Sequence, residues 1–117
     1  MSVDLPDSGA VELLYWLLRL RQRVGVSGAS MIPQLKPGDE VLVNPRAYRT
    51  QTPYVGDIIV ANRPDRLGVT MIKRVSSVLE DGRLFLIGDN PDASTDSRSF
   101  GPVPRGFIVG KVTSKFG

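Results

Sequence analysis

A chain of 117 residues, 41% apolar and 23% charged, has room for one soluble domain built on a single core. Its net charge of +3, from 15 basic and 12 acidic residues with no aromatic-and-basic cluster, does not argue for a nucleic-acid partner. With neither cysteine nor histidine, the chain has no disulfides, no thiol nucleophile, no serine–histidine–aspartate triad and no ordinary transition-metal site, so neither metal nor cofactor is expected.

The one long apolar stretch is "AVELLYWLLRL", residues 10–20. Its pattern predicts a helix that Asp7 or Ser8 caps. Eleven helical residues span about 16 Å, roughly half the hydrocarbon thickness of a bilayer. The stretch also lacks the basic start and small-residue cleavage site of a signal peptide. The helix is expected to pack on its own domain or on a second copy. Trp16 and the arginines that follow make a helix lying in a membrane surface the sharper alternative. Residues 1–23 are therefore set apart as a tail and short amphipathic helix, and 24–117 as the main domain.

Next comes "SGASMIPQLKPGDEVLV", residues 27–43. Small neighbours leave Ser30 accessible, which makes it a candidate nucleophile. A serine hydroxyl needs a base within hydrogen-bond reach, and without histidine the base must be a lysine, a carboxylate or the chain's own amine. "KPGD" at 36–39 is a turn. Then follow β-branched, apolar runs: "EVLV" (40–43), "GDIIVAN" (56–62), "VTMIKRVSSV" (69–78), "RLFLIGD" (83–89) and "FIVGKVTSKF" (107–116). "EDGR" at 80–83 reads as a hairpin turn between the third and fourth runs. The expected fold is mainly β, small antiparallel sheets around one core with a short N-terminal helix.

Of the four lysines, Lys36 lies in a turn, and Lys111 and Lys115 suit an edge strand guarded against aggregation. Lys73 differs. Strand alternation places Val69, Met71, Lys73 and Val75 on one face, leaving Arg74 for the wet one. An amine among apolar side chains has a lowered pKa and can accept a proton. An inward lysine whose ammonium reaches water is the plainer reading of the same pattern. The last polar segment, "GDNPDASTDSRSFGPV" (88–103), reads as a self-capped loop in which Asp96 and Arg98 form a local ion pair. Its acidic spacing does not match a calcium loop.

In order, "GASMIPQLKPGDEVLV", "GDIIVA", "MIKRV", "GDNPDASTDSR" and "FGPVPRGFIVGKV" resemble the signal peptidase I (S26) family of serine–lysine proteases. The resemblance implies a signal-peptidase-like fold over residues 24–117 and a serine endopeptidase with a Ser-Lys dyad. It makes Ser30 the nucleophile and Lys73 the general base. Ser94 would orient the lysine, Asp96 and Arg98 would support the site, and Gly28, Ala29 and Met31 would flank the oxyanion and substrate. Some members carry a serine at the Gly28 position; here the oxyanion would rest mainly on the Ser30 N–H. Short and expected to be unanchored, the chain looks most like the nickel-type superoxide dismutase maturation proteases. That implies a cytoplasmic enzyme that removes the leader of the nickel superoxide dismutase precursor, with nickel belonging to the substrate. Three alternatives stay open: a general signal peptidase at a membrane surface, a self-cleaving repressor-type protease, and a non-catalytic β domain that binds peptides. The repressor type needs an Ala-Gly or Cys-Gly bond upstream of the serine, and the sequence has neither.

Overall fold

A computed structural model describes residues 5–116. The chain runs through helix α1 (Ala10–Leu17), then strands β1 (Gln22–Gly25), β2 (Glu40–Asn44), β3 (Ile58–Asn62), β4 (Thr70–Val78) and β5 (Leu84–Ile87). Helix α2 (Ser97–Phe100) and strand β6 (Ile108–Phe116) complete it. The fold is mainly antiparallel β with a short N-terminal helix, as the sequence implies. Its six strands join in one hydrogen-bonded sheet of order β1-β2-β6-β3-β4-β5, bent by register shifts in β2, β3 and β4.

Alternation explains why one sheet carries two apolar clusters. In β3, Ile58 and Val60 join Val26, Met31, Leu35, Val41, Val43 and Val112 on one side. Their neighbours Ile59 and Ala61 face Met71, Val75, Leu84, Leu86 and Val103 on the other. Strand β6 lies between β2 and β3, so Lys111 and Lys115 are not on an edge. Their ammonium groups reach Asp57 and Asp39 at 3.8 and 3.5 Å. Both turns form as expected. Gly38 and Gly82 take φ of +91° and +88°, the left-handed region that favours glycine. Strand β1 is unanticipated: "QRVG" is short and polar and pairs only with β2.

Helix α1 ends at Leu17 and is capped by neither Asp7 nor Ser8; its N-cap is Gly9, with no side-chain bond. Glu12, Tyr15 and Trp16 recur at helical spacing and are half-buried, and Glu12 and Trp16 dock the helix on the sheet. The Glu12 carboxylate accepts from Thr113 Oγ1 and from Ser114 Oγ (3.0 Å), both in β6, and from Arg21 Nε (3.0 Å). Trp16 meets Phe116 edge to face, with ring centroids 4.9 Å apart. The helix therefore packs on its own domain, yet no residue in it is buried. Val11, Leu14, Leu17 and Leu18 are 51–71% exposed. Among the described residues, no helix is long and apolar enough to cross a membrane.

Candidate active site

Beyond β1 the chain enters the segment that carries Ser30. Gly28 has φ +76°, so the backbone itself favours glycine at this position. The following turn closes through Ile32 N–H to Ala29 O (3.3 Å) and Leu35 N–H to Met31 O (2.9 Å). Met31 and Leu35, 1% and 0% exposed, anchor this turn in the first apolar cluster. Ser30 stands half-buried between that anchor and the glycine.

Lys73 reaches the same place from β4. It lies opposite Ile59 of β3 and between Met71 and Val75 along its own strand. Only 5% of its surface is exposed. Burial pushes its pKa below the ordinary lysine value; the charges of Arg63 and Arg98 add to that, and Asp96 opposes it. Ser30 and Lys73 line one groove of about 280 Å³, together with Val24–Ala29, Met31, Arg63, Val69–Ile72, Ala93 and Thr95. No hydrogen bond joins the Ser30 hydroxyl to the Lys73 amine among the described residues. Catalytic contacts are often loose until substrate closes the site.

The polar loop after β5 folds behind these two residues. Asp96 is 1% exposed and caps α2. It accepts from Gly88 N–H (2.8 Å), Ser94 Oγ (2.5 Å), and Arg98 Nε (3.0 Å) and Nη2 (2.6 Å). Burial alone would raise its pKa, but hydrogen bonds from Arg98, Ser94 and Gly88 outweigh it and hold the carboxyl well below the usual carboxylate range. The Ser94 hydroxyl thus donates to Asp96, and no hydrogen bond runs from it to Lys73. Gly88 is packed so closely that a Cβ there would lie 2.3 Å from Ser94 Oγ and 2.6 Å from Ser30 O.

The structure brings together all the residues the sequence singled out: Gly28, Ala29, Ser30, Met31 and Lys73 on the groove, with Ser94, Asp96 and Arg98 behind it. It adds three that sequence reasoning missed. Arg74 is buried rather than solvated. It donates to both Asp89 oxygens at 2.8 Å and to Gly56 O at 2.8 Å, tying β4 to the polar loop. Gly88 makes the close approach just described. Asn90 donates from its backbone to Ser30 O (2.8 Å) and from Nδ2 to Ala29 O (3.0 Å). The available signal was the run "GDN" straight after an apolar strand, where a glycine and two hydrogen-bonding side chains mark a turn pressed against something.

A groove on an antiparallel sheet that holds a half-buried serine and a desolvated lysine has the makings of a hydrolase site. The chain belongs to the family described as signal peptidase, peptidase S26, whose pattern matches residues 10–78 and 76–116. It is 38% identical over 107 residues to the mitochondrial ATP-independent inner membrane protease subunit 1b of Arabidopsis thaliana, covering 73% of this chain and 63% of that one. It is 36% identical over 105 residues to mitochondrial inner membrane protease subunit 1 of Xenopus tropicalis, covering 74% and 63%. A probable signal peptidase I-1 of Synechocystis is 29% identical over 130 residues, covering 74% and 66%. The chain thus spans less than two thirds of the length of these relatives. The first two correct the expected cytoplasmic location, since both are mitochondrial inner membrane proteases by name.

Proposed function

We propose that this chain is a serine endopeptidase in which Ser30 attacks and Lys73 acts as general base, removing leader peptides from precursor proteins at a membrane. The observation that carries the reading is the desolvated Lys73 amine lining the same groove as Ser30. Neutral Lys73 takes the Ser30 proton as Oγ bonds to the scissile carbonyl carbon. The oxyanion is held by backbone N–H groups, that of Ser30 first. The Lys73 ammonium then protonates the departing amine. Water, deprotonated by the same lysine, hydrolyses the ester and restores Ser30. Ser94, Asp96 and Arg98 keep the lysine's surroundings fixed, and Gly28, Ala29 and Met31 shape the place of the residue before the cut. Substrate lies extended along β1, whose outer edge is unpaired among the described residues.

The inner-membrane location rests on the names of the relatives and on the outward leucines of α1. The nickel superoxide dismutase precursor is the narrowest substrate, and only the sequence resemblance supports it. The names of the relatives favour substrates met at a membrane.

The test is cleavage of leader-bearing peptides presented on vesicles, with the nickel superoxide dismutase precursor alongside, read by intact mass. Ser30→Ala and Lys73→Ala should each retain below about one thousandth of the rate. Cleavage that persists in Ser30→Ala overturns the mechanism. Since the neutral amine is the working form, kcat/KM should rise with pH and reach its midpoint below the value of about 10.4 for free lysine. A midpoint at or above that value removes Lys73 as the base.

A further inference from the structure

The proposed oxyanion donor, Ser30 N–H, is one end of the Ala29–Ser30 peptide, and the other end is gripped from outside the loop. Ala29 O accepts from Asn90 Nδ2 at 3.0 Å, across 61 residues of sequence. Within its own turn it also receives the longer contact from Ile32 N–H at 3.3 Å. The Asn90 backbone N–H holds the next carbonyl, Ser30 O, at 2.8 Å. A carbonyl only accepts, so the amide nitrogen of Asn90 must be the atom that faces Ala29.

The Ala29–Ser30 peptide is trans, so its N–H points opposite to its C=O. Fixing Ala29 O therefore fixes the direction of Ser30 N–H, which makes no hydrogen bond of its own among the described residues. We infer that Asn90 is a positioning residue that pre-aims the oxyanion donor, and that its side chain serves the reaction rather than the fold. One observation separates it from a capping role: Asn90 sits at the N-cap of the 3-10 turn Pro91–Ala93, yet its side chain makes no capping bond there. With Gly28 where a hydroxyl would offer a second donor, the oxyanion would depend more on the one backbone N–H that Asn90 aims. The inference rests on the protease reading, since a donor needs an oxyanion to serve.

Asn90→Asp keeps the shape but replaces the donor with an oxygen that repels Ala29 O; Asn90→Ala only removes the donor. Cleavage of a leader peptide should show kcat lowered about 10- to 100-fold in both, Asp the worse, with KM within about twofold and the unfolding midpoint of Asn90→Ala nearly unchanged. Unchanged kcat, or a loss confined to KM, overturns the inference. Should either variant unfold more easily, its crystal structure decides. A rotated Ala29–Ser30 peptide in Asn90→Asp supports the clamp, and an unmoved one refutes it. That readout needs no activity, so it also separates failure of the clamp from failure of the protease reading, which would show as an unmutated chain that never acylates Ser30.

Discussion

Helix α1 and the loop at residues 88–98 reverse the usual relation of polarity and burial. The helix is the most apolar stretch of the chain, yet none of its residues is buried, and it holds to the sheet largely through a carboxylate and a tryptophan. The loop is the most polar stretch, yet Gly88, Asp96 and Ser97 are buried and hydrogen-bonded. Scattered exposed leucines need no explanation, but a run of them on one helix face does, and so does a carboxylate 1% exposed. In each case the position is explained by what the segment meets. The loop packs against the Ser30 segment and the groove that Lys73 lines, and the helix presents an apolar face outward.

The loop side of this comparison should break hardest at Asp96. Asp96→Ala strands the buried Gly88 N–H and releases Ser94 and Arg98 together, for a loss of about 2–4 kcal/mol in urea unfolding at pH 7. Arg98 is 44% exposed on its side chain, so water recovers part of its share. The sign with pH follows from the lowered pKa. The native state binds fewer protons here than the unfolded chain, so the contribution is complete above the ordinary carboxylate value of about 3.9 and fades as pH falls below it. The stability gap between the unmutated chain and Asp96→Ala should therefore narrow between pH 5 and pH 2, and a constant gap would contradict the charge-based account.

Gly88→Ala should come next, at about 1–3 kcal/mol, because its methyl group meets Ser94 Oγ and the fixed backbone oxygen of Ser30. Activity should fall more than stability does, since relief can come only by moving Ser30 or Ser94. Equal rates in a folded Gly88→Ala would show that the loop does not locate the nucleophile.

Much of this was legible in the sequence where a local rule and the tertiary environment agree. Strands β2 to β6 announced themselves by alternation and turn residues, and Lys73 by its place between Met71 and Val75. What escaped was decided by distant partners. Arg74 looked bound for water because its acceptor, Asp89, is 15 residues away beyond a hairpin. Strand β1 has no apolar alternation, and its four residues are ordered by pairing with β2. Asn90 reads as an ordinary turn residue until the fold sets it against Ala29. The apolar run at residues 10–20 showed that a helix forms but not which face turns inward, because the half-buried face is Glu12, Tyr15 and Trp16 rather than the leucines.

The helix side of the comparison carries the smallest effect on stability, and that smallness is the point. Leu14→Ser and Leu17→Ser remove apolar groups that are 51% and 71% exposed, so unfolding free energy should move by less than about 0.5 kcal/mol each. Their effect belongs in retention on lipid vesicles. An apolar helix face set beside Arg19, Arg21 and Arg23 should bind anionic vesicles, and the double variant should bind them less. Salt should weaken the arginine contribution while leaving the leucine contribution in place. If the double variant instead lowered stability by more than 1 kcal/mol in a manner that depends on protein concentration, the outward face would be covered by a second copy of the chain rather than by lipid. Stability and retention both unchanged would mean that the exposed leucines serve neither partner, and the contrast between helix and loop would then concern burial alone.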